Sequence, residues 1–470
     1  MLPLISSARQ PGIFRVLSAA LLPFALLAVG AGAQTAAPPP PVQVTASSAP
    51  VSITLAEAIR RAEANQPAYA TARANSASAA LDRSIAKAGL LPSARFYGQG
   101  LYTQPNGIYA EGGEGVSTPN PRFVANDSRP REYIAQGIVD ETLSLAGPAT
   151  VRRANAAAAM ARAQLEIAHR GLVVTMTSMF YGSLAADHKV AIAQRASQDA
   201  VDFTAITVDR EKQGEAAHAD VLKARLTQQQ QWRLLQDAVL AAQTARLDLG
   251  VLLFADPLTP YTLQAPQSVP PLAAFADAEA AAAGRNPQLK SALANLKMSS
   301  ADVLGARVAL FPTLGLNVIY GIDANQFAVN GPMTSSGTKA RNLGYSTSLT
   351  VNLPVWDWLS TEHKVKQSEI RRDAARVALT ATERQSIANL RAYYAAAQTA
   401  QEELESLDAS VADAAQSVRL SELSYKDGEA LVIEVVDAQN AYVTAANARE
   451  DGRLRYQLAL ADLQTLTGNL

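Results

Sequence analysis

Two halves of this chain carry the same ordered markers, and such a chain must fold as two copies of one substructure. Leu91-Pro92 and Phe311-Pro312, 220 residues apart, each close a helical stretch that opens on Asn65 and Pro67 or on Asn286-Pro287. Gln213-Gly214-Glu215 and Asp427-Gly428-Glu429 match at an offset of 214, and Phe180-Tyr181 and Tyr393-Tyr394 at 213. Each glycine turn precedes an acid followed by two aliphatics, Asp220-Val221-Leu222 and Glu434-Val435-Val436. These markers divide the chain into a first repeat (51–258), a linker (259–277) and a second repeat (278–470).

Most of each repeat reads as long helix. Proline is absent from Ala149 to Asp256 and from Val355 to Leu470, and glycine is also absent between Leu359 and Asp427. Ala, Leu, Gln, Arg and Glu, all good helix formers, fill these stretches. A helix running from Ala149 to Gln213 would be about 100 Å long at ~1.5 Å per residue. Periodic helical sequence of that length points to a coiled coil or helical repeat. The alanine-rich apolar positions allow helices to approach closely.

Four stretches break the helical pattern at equivalent places, near 93–104, 132–142, 313–324 and 343–353. In the last, Tyr345, Thr347, Leu349, Val351 and Leu353 alternate with Ser346, Ser348, Thr350 and Asn352. A period of two with one apolar and one polar face is a strand signature. About eleven residues is also the length at which a tilted strand crosses a bilayer. Pro105–Arg131 and Asn325–Arg341 read as exposed hairpin loops between the strands of each pair. Four strands cannot close a barrel, and open sheet edges are not tolerated in lipid. Either these strands stay out of the membrane or several copies close one barrel together; three copies supply twelve strands, enough for an open lumen.

The N-terminus reads as a secretory signal over residues 1–33. Arg9 and Arg15 lie ahead of or at the edge of an apolar core from Val16 to Val29, and Ala31-Gly32-Ala33 predicts cleavage after Ala33. Residues 34–50, rich in Pro and Ala, read as an extended leader. There is no cysteine, which excludes disulfides and a cysteine-linked lipid. Loss of the two signal arginines takes the formal charge from −1 to −3, which gives no hint of nucleic-acid binding.

Together these elements resemble the TolC-type outer-membrane efflux proteins over nearly all of the mature chain. The resemblance rests on Thr54-Leu55 to Ala58-Ile59, Asn65, Pro67, Ala72-Arg73-Ala74-Asn75 and Leu91-Pro92. It rests also on Asn352-Leu353-Pro354-Val355-Trp356-Asp357, similar to that family's strand-to-helix junction, and on Tyr425-Lys426-Asp427-Gly428 with Glu434 to Ala438, similar to its helix–helix tip. It implies a mainly α, internally duplicated fold with a small transmembrane β part. In that family a homotrimer joins a 12-stranded β-barrel, four strands per protomer, to a long α-helical coiled-coil barrel in the periplasm. The implied location is the outer membrane of a Gram-negative bacterium. The implied partners are a periplasmic adaptor (membrane fusion) protein and an inner-membrane pump, RND type in preference to ABC type. Small-molecule or drug efflux is the expected role, and type I protein secretion with an ATP-driven exporter is the alternative. A periplasmic coiled-coil scaffold without a pore is the reading from a different class. Two departures stand out. The first-repeat junction, Asp140-Glu141-Thr142-Leu143, lacks the proline and aromatic of the second, and Ala430 stands where some members carry an arginine that ties neighbouring helices.

Nothing in the pattern supports catalysis, a cofactor or a metal. His169, His188, His218 and His363 lack ligand spacing, and His188 and His363 read as solvated helix positions. Met176 and Met179 read as core, and Gly112 to Gly115 as a flexible loop tip rather than a phosphate-binding turn. The sharper candidates are Glu434 and Asp437, three apart on one helix face. By resemblance that face lines the narrow end of the channel, where three copies would form an acidic, cation-attracting ring. Asp220 and Lys223, their first-repeat counterparts, can pair internally rather than add to that ring. Gly214, Glu215, Tyr425, Gly428 and Glu429 mark the two tips, where an adaptor would dock. Trp356 and Trp358 are the expected interfacial aromatics.

Overall fold

The computed structural model describes residues 51–102, 131–265, 270–333 and 335–468. The signal and its cleavage site, the leader, the Gly112–Gly115 tip and most of the first hairpin loop lie outside the described residues.

The first repeat comprises β1 (Val51–Ile53), α1 (Leu55–Asn65), α2 (Pro67–Ala88), β2 (Ser93–Tyr102), β3 (Arg131–Leu143), α3 (Ala146–Lys212) and α4 (His218–Leu253). After β4 (Tyr261–Leu263), the second continues through α5 (Phe275–Arg285), α6 (Pro287–Val308), β5 (Thr313–Ala324), β6 (Asn330–Met333), β7 (Lys339–Arg341), β8 (Leu343–Asn352), α7 (Ser360–Lys426) and α8 (Val432–Thr467). Equivalent helices have equal lengths: 11 residues for α1 and α5, 22 for α2 and α6, 67 for α3 and α7, and 36 for α4 and α8.

Local chemistry sets the boundaries. The Thr54 hydroxyl accepts from the Glu57 amide to cap α1. Pro67 and Pro287 occupy the first turns of α2 and α6, where a missing N–H costs nothing. The Gln66 and Asn286 side chains cap those two helices.

α3 packs against α2, α4, α6 and α8, and α7 packs against α6 and α8. One apolar cluster joins Leu172, Met176 and Phe180 of α3 to Leu249 and Leu253 of α4, to Ile53 and Tyr261, and to Ala58 and Ala62 of α1. Its second-repeat counterpart joins Leu390 to Leu463, Leu466, Ala278 and Ala282. The expected linker is therefore part of the packing: β4 pairs in parallel with β1, and Tyr394 donates to the Ala273 carbonyl.

The layer has uncovered edges. α7 buries five residues along the length over which α3 buries eighteen, and α2 buries none. Ile370, Val377, Ile387, Leu420 and Leu423 on α7 are exposed, as are Leu81 and Ile85 on α2.

The four long strands form one antiparallel sheet ordered β2-β3-β5-β8, with β2 and β8 as unpaired edges. The second hairpin loop also contains the small β6–β7 ladder. The two strand-to-helix junctions differ as their sequences do. β3 stays paired as far as Leu143, opposite Leu314, whereas β8 stops at Asn352 before Pro354, and Trp358 and Leu359 then turn through left-handed backbone.

Candidate functional site: the helical tip and the amphipathic sheet

Each helical hairpin turns at a glycine with positive φ, +77° at Gly214 and +81° at Gly428. The bonding is a Schellman arrangement at both tips. The amides of Gly214 and Glu215 donate to the carbonyls of Glu211 and Arg210, and those of Gly428 and Glu429 to the carbonyls of Tyr425 and Ser424. An L side chain at either glycine would be strained. His218 Nδ1 lies 2.7 Å from Glu211 Oε1 and closes the first tip from side to side.

Tyr425 is a correction to the sequence reading. Its side chain is not displayed for docking; the residue is 4% exposed and is buried between the two hairpins. Its ring packs on Phe203 at 5.0 Å between centroids, its hydroxyl donates to Thr207 Oγ1 at 3.4 Å, and Val432, Val435 and Val436 complete the cluster. Arg210, at the end of α3, reaches across to it. The guanidinium donates to the Tyr425 carbonyl and lies 4.8 Å from the centre of the Tyr425 ring, and its Nε is 3.4 Å from Glu215 Oε2. Arg210 is thus a strut between the tips, and sequence reasoning missed it. The available signal was asymmetry: the equivalent second-repeat position, 214 residues on, is Ser424.

Glu434 and Asp437 are both exposed, on the face of α8 opposite Val432, Val435 and Val436. Their first-repeat counterparts behave differently from expectation: among the described residues no ion pair joins Asp220 to Lys223, and both are half-buried. Above the tip, burial raises the Asp199 carboxyl above the usual carboxylate range, with Glu422 and Asp202 adding to the effect and Arg195 opposing it.

His188 is exposed, as expected, but it is not idle: its Nδ1 lies 2.7 Å from Oε2 of Glu450, a residue 3% exposed, and so joins α3 to α8. Burial of Glu450 works to raise its pKa. The His188 hydrogen bond, with the charges of His188 and Arg453 and a bond from Arg449, outweighs burial and leaves the carboxyl below its ordinary value. The neighbouring residues Asp187 and Lys189 pair with Arg246 of α4 and Asp451 of α8.

The sheet separates two chemistries. Register puts Phe96, Gly137, Tyr320 and Tyr345 in one cross-strand row, with Leu316 opposite Leu349 and Leu314 opposite Val351 on the same face. The other face carries Ser93, Asp140, Asn317 and Ser348, where Asn317 donates to Asp140 at 2.6 Å and Arg95 pairs with Asp140 at 3.3 Å. Among the described residues nothing covers the apolar row; Tyr345 and Leu349 are exposed. Trp356 and Trp358 lie just past β8, 70% and 82% exposed, with rings edge to face at 5.7 Å. No helix among the described residues is long and apolar enough to cross a membrane.

Residues 280–469, almost all of the second repeat, match the family described as outer membrane efflux protein. The whole fold matches the Campylobacter jejuni CmeC outer membrane channel with a TM-score of 0.73 at 16% identity, over 88% of this chain and 85% of that one. The second repeat thus carries the pattern of the outer membrane efflux protein family, and the fold as a whole is one seen in outer membrane channels. The Vibrio cholerae outer membrane protein VceC shares the fold with a TM-score of 0.73 at 15% identity, over 88% of this chain and 96% of that one. Protein CyaE of Bordetella pertussis is 28% identical over 258 residues, which are 51% of this chain and 52% of CyaE, so the match spans about half of that relative's length. This fold, a large helical part beside a small β part, is shared with those solved outer membrane channels. At this tip Ala430 packs against the Tyr425 cluster, and the tie between hairpins comes from Arg210 of the first repeat.

Proposed function

We propose that three copies of this chain form an outer-membrane duct that a periplasmic adaptor and an inner-membrane pump open for export. The observation that carries this is the single-layer amphipathic sheet that, among the described residues, has both edges unpaired and its apolar row exposed. Lipid accepts its apolar face only if copies close the edges. The strands are 10 to 13 residues long, about 33 Å or more at ~3.3 Å per residue, which reaches across a bilayer core when tilted. The bare faces of α2 and α7 offer the matching contact between copies below the sheet. Trp356 and Trp358 would then sit at the membrane–water boundary.

In this assembly Glu434 and Asp437 form the acidic constriction, and Gly214, Glu215, Gly428 and Glu429 are exposed for adaptor docking. Closure is held within each protomer by Arg210 and Tyr425, and opening is a population shift biased by partner contacts. Small-molecule efflux with a proton-driven pump is the reading we favour. A protein-secretion duct with an ATP-driven exporter is the second.

The test is single-channel conductance of the purified protein in planar bilayers, with multivalent cations added on the tip side. Discrete cation-selective steps blocked by those cations are expected. A protein that stays monomeric and water-soluble and never inserts would overturn the duct and favour a pore-free scaffold.

A further inference from the structure

The duplication provides an internal control for a cavity that the first repeat leaves open. Between α3, α4 and α8 lies a crevice of about 300 Å³, walled by Gly182, Ala186 and Ala193 of α3, Leu234 of α4, and Val443 and Leu454 of α8. In the second repeat, 214 residues on, Ala193 becomes Leu407 and Ala238 becomes Gly452. There Leu407 packs so tightly on Gly452 that a Cβ at that glycine would collide with it. The fold therefore has a way of filling this position, and the first repeat does not use it.

The open crevice is also wired for a partner. Gln231, 4% exposed, lines it and donates through Nε2 to Asn440 Oδ1 at 3.1 Å, which fixes its amide orientation. Its Oε1 is buried with no hydrogen-bond partner among the described residues, and so is Oδ1 of Asn447, which lines the crevice from α8. At the second-repeat counterpart of Gln231 stands Ala445, which has no amide to leave unpaired. Lys189 and Asp451 also line the crevice, but they satisfy each other at 2.6 Å and leave no net charge to attract an ion. A site with apolar walls, buried acceptors wanting donors and no free charge selects by shape and by N–H groups.

We propose that this crevice is a binding site for a small neutral molecule with an apolar body and N–H donors, of the aromatic-amide class. Its N–H groups would donate to Gln231 on α4 and Asn447 on α8, so an occupant also ties the two hairpins together.

The cysteine-free chain permits a direct test. A Cβ at Gly182 meets nothing within 4 Å, so Gly182→Cys introduces one thiol into the crevice without strain. Its labelling by a methanethiosulfonate reagent is followed by mass spectrometry in the full-length protein. With fragment affinity of about 1 mM, 10 mM benzamide should slow labelling about tenfold. Methyl benzoate, which keeps the ring and carbonyl but has no N–H, should leave the rate within about twofold of the unliganded value. Gln231→Leu should abolish the benzamide effect, and Ala193→Leu, which copies Leu407, should block labelling and binding together. Equal protection by both probes, or by neither, overturns the proposal. If Gly182→Cys does not fold, Ala186→Cys replaces it, and a thermal shift of the unmodified protein by benzamide but not by methyl benzoate provides the same discrimination.

Discussion

Arg210→Ala should loosen the tip, by an amount that follows from three contacts. A charge-assisted hydrogen bond to a half-buried carbonyl is worth about 2 kcal/mol. Stacking of the guanidinium on the Tyr425 ring adds about 1 kcal/mol. The pair with Glu215, whose side chain is 55% exposed, contributes no more than about 0.5 kcal/mol after solvent screening. The contacts share one side chain and are not additive, so the expected loss is about 3 kcal/mol of local stability. The amides of Gly428 and Glu429, bonded to the Tyr425 and Ser424 carbonyls, report on that opening. Their hydrogen exchange should accelerate about a hundredfold, since ~1.4 kcal/mol is tenfold. Arg210→Lys keeps the charge but loses the planar fork and the stacking, and should fall between the two. Exchange altered by less than about threefold in Arg210→Ala would refute the strut.

Three further outcomes follow from the same structure. Glu434→Ala combined with Asp437→Ala should raise conductance and weaken cation preference, and unchanged selectivity in purified trimers would remove these residues from the constriction. Gly428→Val forces a β-branched residue to φ +81° at a local cost of about 1–3 kcal/mol, so export should fall while trimers still assemble on native gels. Because the folded-state pKa of Glu450 is depressed, its stabilising contribution is present above the unfolded carboxylate value near 4.5 and is lost as pH falls below it. His188→Ala removes a cause of that depression, so acid unfolding followed by circular dichroism should begin at higher pH.

The duplication, the long helices and the four strands were legible because each is written in local pattern. Proline and glycine placement bounds the helices, and a period of two marks the strand that becomes β8. The glycines at 214 and 428 were legible for the same reason, since a helix-ending turn with positive φ is a local demand. The resemblance to the efflux-protein family needed no more than the order of these markers.

What remained hidden depends on side chains that meet from distant parts of the chain. β1 and β4 are three residues each, too short to show a period, and exist only because they pair across two hundred residues. Tyr425 looks like an exposed turn aromatic until Phe203 and Arg210 close over it from the other repeat. His188 is exposed, and its pairing with Glu450 appears only once α8 is brought alongside. The crevice beside Gln231 is a difference in volume between two repeats, and its meaning appears only once Leu407 is seen filling the equivalent space. Local sequence thus determined which elements form and in what order. Tertiary packing decided which polar groups find partners and which are left wanting one, because burial and pairing are properties of the assembled neighbours rather than of any one segment.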